Sequence, residues 1–361
     1  MSKKKVMIGM SGGVDSSVAA ALLLEQGYEV VGVTLKLWSE KIDEMERPSG
    51  GCCSLDDIND ARMVANKLGI PHYVMNFKDE FRKDVVDYFV EEYQHGRTPN
   101  PCIACNRYIK FEGLMDKAIA MGFDYVATGH YAKIIKNPLT DRFELHRGLS
   151  FKKDQSYVLY NFTQEQLSHM LMPLSDLTKD QTREIAEKYE FSVAKKPDSM
   201  EICFVPDQDY AAFIERYTGK KSVPGNFIDS QGKIMGVHKG IRHYTIGQRK
   251  GLGIAFGIPM FVTKIDVENN TVTLALEKEI FQTELTAGDL NFIEISQLTE
   301  PIQIEAKVRY SAIPAPATLI PQTGNTVKVV FAQPQRAITP GQAVVFYNGE
   351  SVVGGGTILG M

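Results

Sequence analysis

Two stretches of the sequence combine residue types suited to phosphate binding and to thiol chemistry. The first is residues 11–17, Ser-Gly-Gly-Val-Asp-Ser-Ser, which follow an apolar run at 6–10 and precede an alanine- and leucine-rich stretch that ends at Gly27. Glycines let the backbone turn tightly and approach a phosphate, and a helix N-terminus offers N–H groups and a positive dipole. A phosphate-binding loop between a strand and a helix is therefore predicted here.

This loop differs from the common nucleotide-binding motifs. A Walker A loop needs Gly-Lys-Ser/Thr and a dinucleotide turn needs G-x-G-x-x-G, and residues 11–17 contain neither. An anion-binding loop has no need of a carboxylate, so Asp15 is expected to hold a magnesium ion or to orient the loop. The alternative is an ordinary Gly/Ser turn without a ligand.

The second stretch carries thiols. Cys102 and Cys105 lie in a polar loop with two prolines, and the sequence predicts that Cys105 begins a helix beside Arg107 and Lys110. A helix N-terminus and basic neighbours stabilise a thiolate and lower the pKa of the thiol. Cys203, far along the chain in an irregular segment with lysines, is the candidate partner.

The residues alone leave several interpretations of the cysteines open. The Cys-x-x-Cys pair at 102 and 105 lacks the second ligand pair that a structural zinc site needs. A thioredoxin-type redox pair is an alternative. So are two buried structural thiols, which the polar surroundings disfavour. Cys52 and Cys53 are interpreted as structural or incidental.

The phosphate-binding loop and the thiol segment are expected to be held in place by a fold of alternating strands and helices. Apolar strand-like runs and amphipathic helical runs alternate as far as residue 131, which predicts an α/β fold with a doubly wound parallel sheet. Residues 11–17 follow the first strand, and Gly129-His130 follow a later one. Ligands bind at the carboxyl ends of such strands, so both segments are expected at one edge of the sheet.

The pattern changes after residue 206. A helix at 209–217 is followed by strand-like segments at 225–228, 233–237 and 242–246, and then by short strands separated by turns. Regularly spaced short strands are typical of a small β-barrel. The predicted domains are a catalytic α/β domain at 1–205, a β-rich central domain at 206–280 and a C-terminal β-barrel at 281–361.

Composition limits the classes of protein. The 361 residues are 43% hydrophobic and 23% charged, as in a globular protein. No apolar stretch is long enough for a membrane span, and residues 1–5 leave no room for a signal peptide. Five cysteines without an export signal indicate reactive or metal-bound thiols in a reducing cytoplasm. With a net charge of −4, RNA would have to be bound by local basic patches.

The sequence also resembles known families. Residues 11–16 resemble the pyrophosphate loop (PP-loop) of the ATP pyrophosphatases, which split ATP between its α and β phosphates and transfer AMP to a substrate oxygen. Longer segments resemble the bacterial tRNA-specific 2-thiouridylases from end to end. These segments are SGGVDS, GRTPNPCIACN, IKF, ATGHY, KDQSY, DSMEICF, GQRKGLGI and TPGQAVVFYNGE.

This resemblance implies an ATP-dependent tRNA uridine 2-sulfurtransferase. ATP would adenylate the C2 oxygen of the wobble uridine, and sulfur from a persulfide would replace it, which gives 2-thiouridine in the tRNAs for Lys, Glu and Gln. The implied cofactors are ATP and Mg²⁺. The implied partners are tRNA and a cysteine desulfurase or sulfur-relay protein, with no membrane.

The resemblance assigns roles to individual residues. Cys105 matches the nucleophile, Cys203 matches the persulfide carrier, and Asp15 joins them as a catalytic residue. The residues expected to bind ATP are Gly9, Met10, Ser11, Gly12, Gly13, Val14, Asp15, Ser16, Leu35 and Gly129. The expected contacts of the target base are Asn100, Pro101 and Cys102, and those of tRNA are Lys153, Asp154, Gln155, Arg309 and Tyr310. A basic glycine-rich loop adds Arg249 and Lys250 as expected phosphate contacts.

In the implied mechanism, Cys105 attacks the persulfide bridge and a Cys105–Cys203 disulfide remains. One departure from the family concerns Cys102, which stands where the best-known members have Asp. Related tRNA thiolases use three cysteines to hold a [4Fe–4S] cluster, so Cys102, Cys105 and Cys203 offer an alternative route. The persulfide route is the preferred interpretation.

The sequence is also compatible with two functions other than sulfur transfer to tRNA. One is a small-molecule synthetase of the ATP pyrophosphatase class, which would not need two distant cysteines. The other is an RNA-binding module whose nucleotide site is only structural. ATP turnover that depends on a small acceptor would favour the first, and an absence of ATP turnover with tRNA would favour the second.

Overall fold

The computed structural model describes residues 3–37, 55–198, 202–205 and 207–360. The chain folds into two compact units. The first contains Met1–Val86, Pro101–Asp207 and Glu350–Val352, and the second contains Asp87–Asn100, Gln208–Gly349 and Val353–Met361. The loop predicted at 39–51 and the thiols of Cys52 and Cys53 lie outside the described residues. The predicted domain bounds stay a prediction.

A parallel sheet forms the centre of the first unit. In chain order, the first seven strands are β1 (Lys5–Gly9), β2 (Glu29–Lys36), β3 (His72–Asn76), β4 (Tyr125–Ala127), β5 (Ala132–Lys136), β6 (Phe143–Arg147) and β7 (Met170–Leu171). Five of them form a sheet of order β3-β2-β1-β4-β7, in which every neighbouring pair is parallel. This order confirms the predicted doubly wound α/β sheet.

Helices occupy much of the chain between these strands. In chain order they are α1 (Val14–Glu25), α2 (Leu55–Leu68), α3 (Lys78–Phe81), α4 (Tyr88–Gln94), α5 (Pro101–Ala104), α6 (Leu114–Ala120), α7 (Gln164–Ser168) and α8 (Lys179–Lys188). The π-helical segment Arg82–Asp87 joins α3 to α4, and the π-helical segment Cys105–Gly113 joins α5 to α6. A 3₁₀ turn, Ser156–Leu159, follows β6.

The innermost strand and helix of the first unit contain apolar and small residues that are fully buried. Val6, Met7 and Ile8 of β1 are fully buried, as expected of a parallel strand covered on both faces. The alanines at 19–21 in α1 are also fully buried. Alanine has the highest helix propensity and lets a helix pack closely, so this run both forms the helix and fits it into the core.

The helix that carries Cys105 begins earlier than predicted. It starts at Pro101, so Cys105 is its fifth residue and Cys102 lies in its first turn. Proline suits the first position of a helix because its φ is already helical and its missing N–H would have no partner there. The prediction that Cys105 opens the helix is therefore wrong by four residues.

The strands β5 and β6 form the predicted hairpin. They pair in antiparallel register from Ala132 opposite Arg147 to Lys136 opposite Phe143. The edge of this hairpin meets a distant part of the sequence, because Ser351 pairs with His146, and the Arg147 N–H donates to the Glu350 carbonyl at 2.9 Å.

The second unit contains a small mixed sheet. It follows α9 (Tyr210–Thr218) and consists of β8 (Gly225–Ile228), β9 (Ile234–His238), β10 (Phe261–Asp266) and β11 (Thr271–Ala275), in the order β10-β11-β8-β9. The strand predicted at 242–246 is wrong, because Ile241–His243 form a 3₁₀ turn. Gly240, at φ 123°, starts this turn, and its carbonyl accepts the His243 N–H at 3.2 Å.

The remaining strands form the predicted β-barrel. They are β12 (Phe281–Phe292), β13 (Ile302–Lys307), β14 (Ala315–Gln322), β15 (Thr326–Arg336), β16 (Ala343–Asn348) and β17 (Ser351–Gly360). Their order is β12-β15-β14-β13-β16-β17, and pairing of β12 with β17 closes the barrel. Leu319, Val329, Val344 and Phe346 are fully buried in its interior. Among the described residues, no helix is long and apolar enough to span a membrane.

Candidate active site

The PP-loop lies where the strand order of the parallel sheet reverses. Residues 10–13 follow β1, and Thr128, Gly129 and His130 follow β4, the neighbour of β1 on the other side. Open α/β sheets bind their ligands at such a switch point, beyond the carboxyl ends of the strands. Both segments predicted to meet at this edge are therefore brought together.

Two glycines fix the backbone of the loop. Gly12 has φ +70°, and a Cβ atom at this position would lie 2.3 Å from the Asp57 carbonyl oxygen of α2. A Cβ atom at Gly129 would lie 2.7 Å from the Asp15 carbonyl carbon and the Ser16 nitrogen. Only glycine permits this close packing of α2 and of residue 129 against the loop.

The serines brace the loop and leave the start of α1 accessible to an anion. The Ser16 hydroxyl accepts the Ser11 N–H at 3.2 Å and donates to the Gly13 carbonyl at 3.2 Å. Ser17 also donates to the Gly13 carbonyl, at 2.8 Å. Gly13 is the N-cap and offers no capping side chain, so the first turn of α1 points its N–H groups at the space where a phosphate would bind.

Asp15 is held by two donors that the sequence did not reveal. The Tyr131 hydroxyl donates to Asp15 Oδ1 at 2.7 Å, and Lys179 Nζ donates to Oδ1 at 2.7 Å and to Oδ2 at 2.9 Å. Burial, and after it the negative charge of Asp15, raises the pKa of Tyr131 well above its ordinary value. The phenol therefore stays a donor, and Asp15 has a fixed orientation.

Lys196 ties the loop to α2. Its Nζ donates to the Gly12 carbonyl at 3.0 Å, to Asp57 Oδ1 at 2.7 Å and to Asp60 Oδ2 at 2.6 Å. Burial acts to lower the pKa of Lys196, but the hydrogen bonds to Asp57 and Asp60 outweigh it and raise the pKa above its ordinary value. The only sequence signal for this role was the position of Lys196 just before the segment with Cys203.

A second charged cluster surrounds Asp198. Its carboxylate accepts from Lys153 Nζ at 2.7 Å, from Lys179 Nζ at 2.6 Å and from Arg183 Nη2 at 3.3 Å. Partial burial acts to raise the pKa of Asp198, but the hydrogen bonds from Lys153 and Lys179 hold it below its ordinary value. Asp198 is thus a carboxylate, and Lys179 joins its cluster to Asp15.

Two residues expected to contact tRNA have internal partners. Asp154 is buried and accepts from the Gly148 N–H at 3.2 Å and from the Ser156 N–H at 3.0 Å. Gln155 Oε1 accepts the Tyr131 N–H at 3.0 Å. The bond to Gln155 holds the backbone of Tyr131, whose hydroxyl donates to Asp15, so the KDQSY segment is linked to the loop through Tyr131.

The cysteines of the first unit differ in exposure. Cys102 is exposed, whereas Cys105 and Cys203 are half-buried. Beside Cys105, Asn106 is buried and donates to the Val158 carbonyl at 3.0 Å, while Lys110 donates to Asn106 Oδ1 at 2.9 Å.

Aromatic packing and a neutral imidazole complete the surroundings of the thiols. Phe204, next to Cys203, packs edge-on against Phe81 of α3 with 6.1 Å between ring centroids. Residues of α3 in turn contact the π-helical segment that starts at Cys105. Burial, and after it the charge of Lys110, holds the pKa of His130 well below its ordinary value, so this imidazole is neutral near pH 7.

The other predicted site residues fall in several places. Leu35 lies next to the last residue of β2, at the carboxyl end of the sheet. Pro101 is buried, and Asn100 belongs to the second unit. In the second unit, Arg249 and Lys250 are exposed on the loop between the 3₁₀ turn and β10, and Arg309 and Tyr310 follow β13.

The arrangement of donor side chains limits which metals the site can hold. Within the described ranges, no three or more His, Cys, Asp or Glu residues are arranged to hold a metal ion. Three thiolates are the least that the alternative [4Fe–4S] cluster would need, so Cys102, Cys105 and Cys203 do not fit it in this arrangement. Magnesium is different, because it uses one or two carboxylates together with phosphate oxygens, and Asp15 is the carboxylate of the loop.

Family models match three successive parts of the chain. A tRNA methyl transferase HUP domain matches residues 4–207, a tRNA methyl transferase PRC-barrel domain matches residues 211–275, and an aminomethyltransferase beta-barrel domain matches residues 282–358. These matches agree with the order of the parallel sheet, the small mixed sheet and the barrel.

Proteins named tRNA-specific 2-thiouridylase MnmA are similar to this chain over its whole length. The one from Acetivibrio thermocellus is 60% identical over 99% of this chain and 100% of its own length. That from Clostridioides difficile is 57% identical over 98% of both chains. That from Carboxydothermus hydrogenoformans is 54% identical over 99% of this chain and 98% of its own. With this identity along its length, the chain belongs to the tRNA-specific 2-thiouridylase family.

Proposed function

We propose that this protein is an ATP-dependent tRNA uridine 2-sulfurtransferase. The observation that carries the proposal is the 60% identity, over 99% of the chain, to a protein named tRNA-specific 2-thiouridylase. The descriptions of two matching family models name methyl transferases and not sulfurtransferases. Sulfur transfer accounts better for a PP-loop and three thiols in the same unit, because activation by ATP and a sulfur carrier are both needed to replace an oxygen.

ATP activates the uridine in the first step. The C2 carbonyl of uridine is a poor electrophile, and its oxygen is a poor leaving group. Attack of the C2 oxygen on the α phosphate releases pyrophosphate and makes AMP the leaving group. Residues 9–16 hold the phosphates, Leu35 and Gly129 line the adenosine site, and Asp15 holds the magnesium ion that accompanies ATP.

Sulfur replaces the oxygen in the second step. The terminal sulfur of a Cys203 persulfide attacks C2, and AMP leaves with the former C2 oxygen. The Cys105 thiolate then attacks Cys203 Sγ, which breaks the S–S bond and releases the 2-thiouridine. A Cys105–Cys203 disulfide remains, and a dithiol reductant must return it to two thiols before the next cycle.

The substrate is a wobble uridine in the tRNAs for Lys, Glu and Gln. The base must leave its stack to reach the thiols, which costs little in a single-stranded anticodon loop. Asn100, Pro101 and Cys102 meet this base, with Cys102 in the place of the family Asp. Residues 206–280 and 281–361 grip the tRNA, and a cysteine desulfurase or sulfur-relay protein in the cytoplasm loads Cys203.

Mass spectrometry of tRNA nucleosides tests the function directly. Incubation with tRNA, ATP, magnesium and a persulfide donor is expected to give 2-thiouridine. Cys105→Ser and Cys203→Ser are expected to lose thiolation by more than about 100-fold, since each removes a sulfur that must form or break a bond. Cys102→Ser is the matched control and is expected to keep measurable thiolation.

Two results would contradict this assignment. Pyrophosphate release driven by a small acceptor in place of tRNA would favour a small-molecule synthetase. A stoichiometric iron–sulfur spectrum in anaerobically purified protein, lost together with activity in Cys102→Ser, would overturn the persulfide route.

A further inference from the structure

Three cations surround one carboxylate beside the PP-loop. The ammonium groups of Lys153 and Lys179 lie 2.7 and 2.6 Å from Asp198, and the guanidinium of Arg183 lies 3.3 Å from it. We call Lys153, Lys179 and Arg183 the cation cluster. One carboxylate cannot balance three positive charges, so the cluster keeps an excess of positive charge where it meets Asp198.

Lys179 connects the cation cluster to the loop. Its Nζ also bonds both carboxylate oxygens of Asp15, at 2.7 and 2.9 Å, and its side chain is only 11% exposed. A nearly buried ammonium has lost most of its hydration, so its contacts with anions are stronger than those of a surface lysine. With Asp15 and Asp198 included, the five groups carry a net charge of +1.

Arg183 is fixed by the backbone at the same place. Its Nη1 donates to the Ala194 carbonyl at 3.0 Å, and its Nη2 donates to the Lys196 carbonyl at 3.3 Å. These bonds hold the guanidinium against the segment that ends at Asp198, so the charge stays in position when its carboxylate partner changes.

We propose that the cation cluster binds the pyrophosphate end of ATP, and that Asp198 is an internal anion which those phosphates displace. The proposal rests on the use of ATP proposed above and assigns residues outside the PP-loop to its β and γ phosphates. A pyrophosphate group carries more charge and more acceptor oxygens than one carboxylate, so it satisfies three cations better.

Because Asp198 competes with phosphate for the same cations, loss of a cation and loss of Asp198 are expected to change the phosphate affinity in opposite directions. Loss of a positive charge from the cluster weakens phosphate binding, as in any anion site. Loss of the negative charge of Asp198 removes the competitor, and so it strengthens phosphate binding. A carboxylate with a purely structural role would give the opposite result, because its loss would disorder the lysines.

Calorimetric titration of the full chain with magnesium pyrophosphate tests the proposal, without tRNA or a sulfur donor. Asp198→Asn is expected to bind pyrophosphate several-fold more tightly than the parent protein. Lys179→Gln is expected to bind at least about tenfold more weakly, the effect of losing a charge-assisted hydrogen bond. Lys179→Arg, which keeps the charge, should recover part of the loss.

The exposed pair of Lys133 and Asp176 provides matched controls in the same unit, since Lys133 Nζ lies 2.8 Å from Asp176 Oδ1, close to the 2.7 Å between Lys153 and Asp198. Lys133→Gln and Asp176→Asn are expected to leave the affinity unchanged, and thermal unfolding checks that each variant is folded. Equal or weaker binding by folded Asp198→Asn overturns the proposal. So does a Lys153→Gln variant that loses tRNA affinity while its pyrophosphate affinity stays that of the parent protein, because the cluster would then be an RNA site.

These outcomes are separate from the test of the proposed function. Pyrophosphate binding can follow the predicted pattern in a protein that makes no 2-thiouridine, which would contradict only sulfur transfer. Conversely, normal thiolation with unchanged pyrophosphate affinity in Asp198→Asn would contradict only the cation cluster.

Discussion

Gly12 meets two separate demands at a single residue. Its φ of +70° belongs to the left-handed region, and its α-carbon lies so close to α2 that a Cβ atom would be 2.3 Å from the Asp57 carbonyl oxygen. The first demand is conformational and the second is steric. A glycine elsewhere in the chain that has a positive φ but open space around its α-carbon allows the two effects to be measured separately.

Gly27 is that residue, because its φ is +88° and a Cβ atom there would have no neighbour within 4 Å. Gly12→Ala is expected to lose ATP binding and about 2–4 kcal/mol of unfolding free energy, since both strain and overpacking contribute. Gly27→Ala is expected to lose about 1 kcal/mol, from strain alone, and to keep ATP binding. Urea unfolding and ATP titration measure both, and equal losses in the two variants would contradict the steric argument.

At the scale of elements, the helix that starts at Pro101 changes which thiol the helix N-terminus affects. The dipole acts mainly within the first turn, where Cys102 lies, while Cys105 follows in the second turn. Cys102 is also exposed, whereas Cys105 is half-buried. We therefore expect iodoacetamide to modify Cys102 at least about tenfold faster than Cys105 near neutral pH.

Peptide mass spectrometry after timed alkylation measures both rates in one sample. The protein unfolded in guanidinium chloride is the control, in which the two rates should converge because no helix remains. Faster modification of Cys105 in the folded protein would show that its local partners, and not the helix start, govern its reactivity.

Local sequence patterns predicted most helices and strands, but they did not predict contacts between residues that are far apart in the sequence. The strand before residues 11–17, the hairpin of β5 and β6 and the barrel strands all follow from apolar runs and turns, which a short window of sequence contains. Lys179 and Lys196 reach Asp15 and Gly12 from more than 160 positions away, at 2.7 and 3.0 Å. Such pairs depend on how the elements pack, which no local pattern records.

At the scale of the whole molecule, the net charge of −4 leaves RNA binding to local patches. Arg249 and Lys250 are exposed next to each other. If both contact phosphates of tRNA, the Arg249→Gln/Lys250→Gln double variant should bind tRNA more weakly. The slope of log affinity against log salt concentration should also fall by roughly 1.4–1.8.

Filter binding over a range of salt concentrations measures this slope. The Lys220→Gln/Lys221→Gln double variant is the matched control, because these two lysines are also adjacent and exposed in the second unit. An unchanged slope for the first variant, or the same fall in both, would count against a specific tRNA contact at Arg249 and Lys250.

The partners of β6 have a consequence for synthesis on the ribosome. The strand pairs through His146 with Ser351, and the first unit includes residues Glu350–Val352. Translation of the roughly 200 intervening residues takes about 10–40 s at ~5–20 residues per second. During that interval the nascent first unit has an open strand edge, the kind of surface to which chaperones and other unfinished chains bind. Premature termination shortly before residue 350 would leave that edge open permanently, with the whole PP-loop already made.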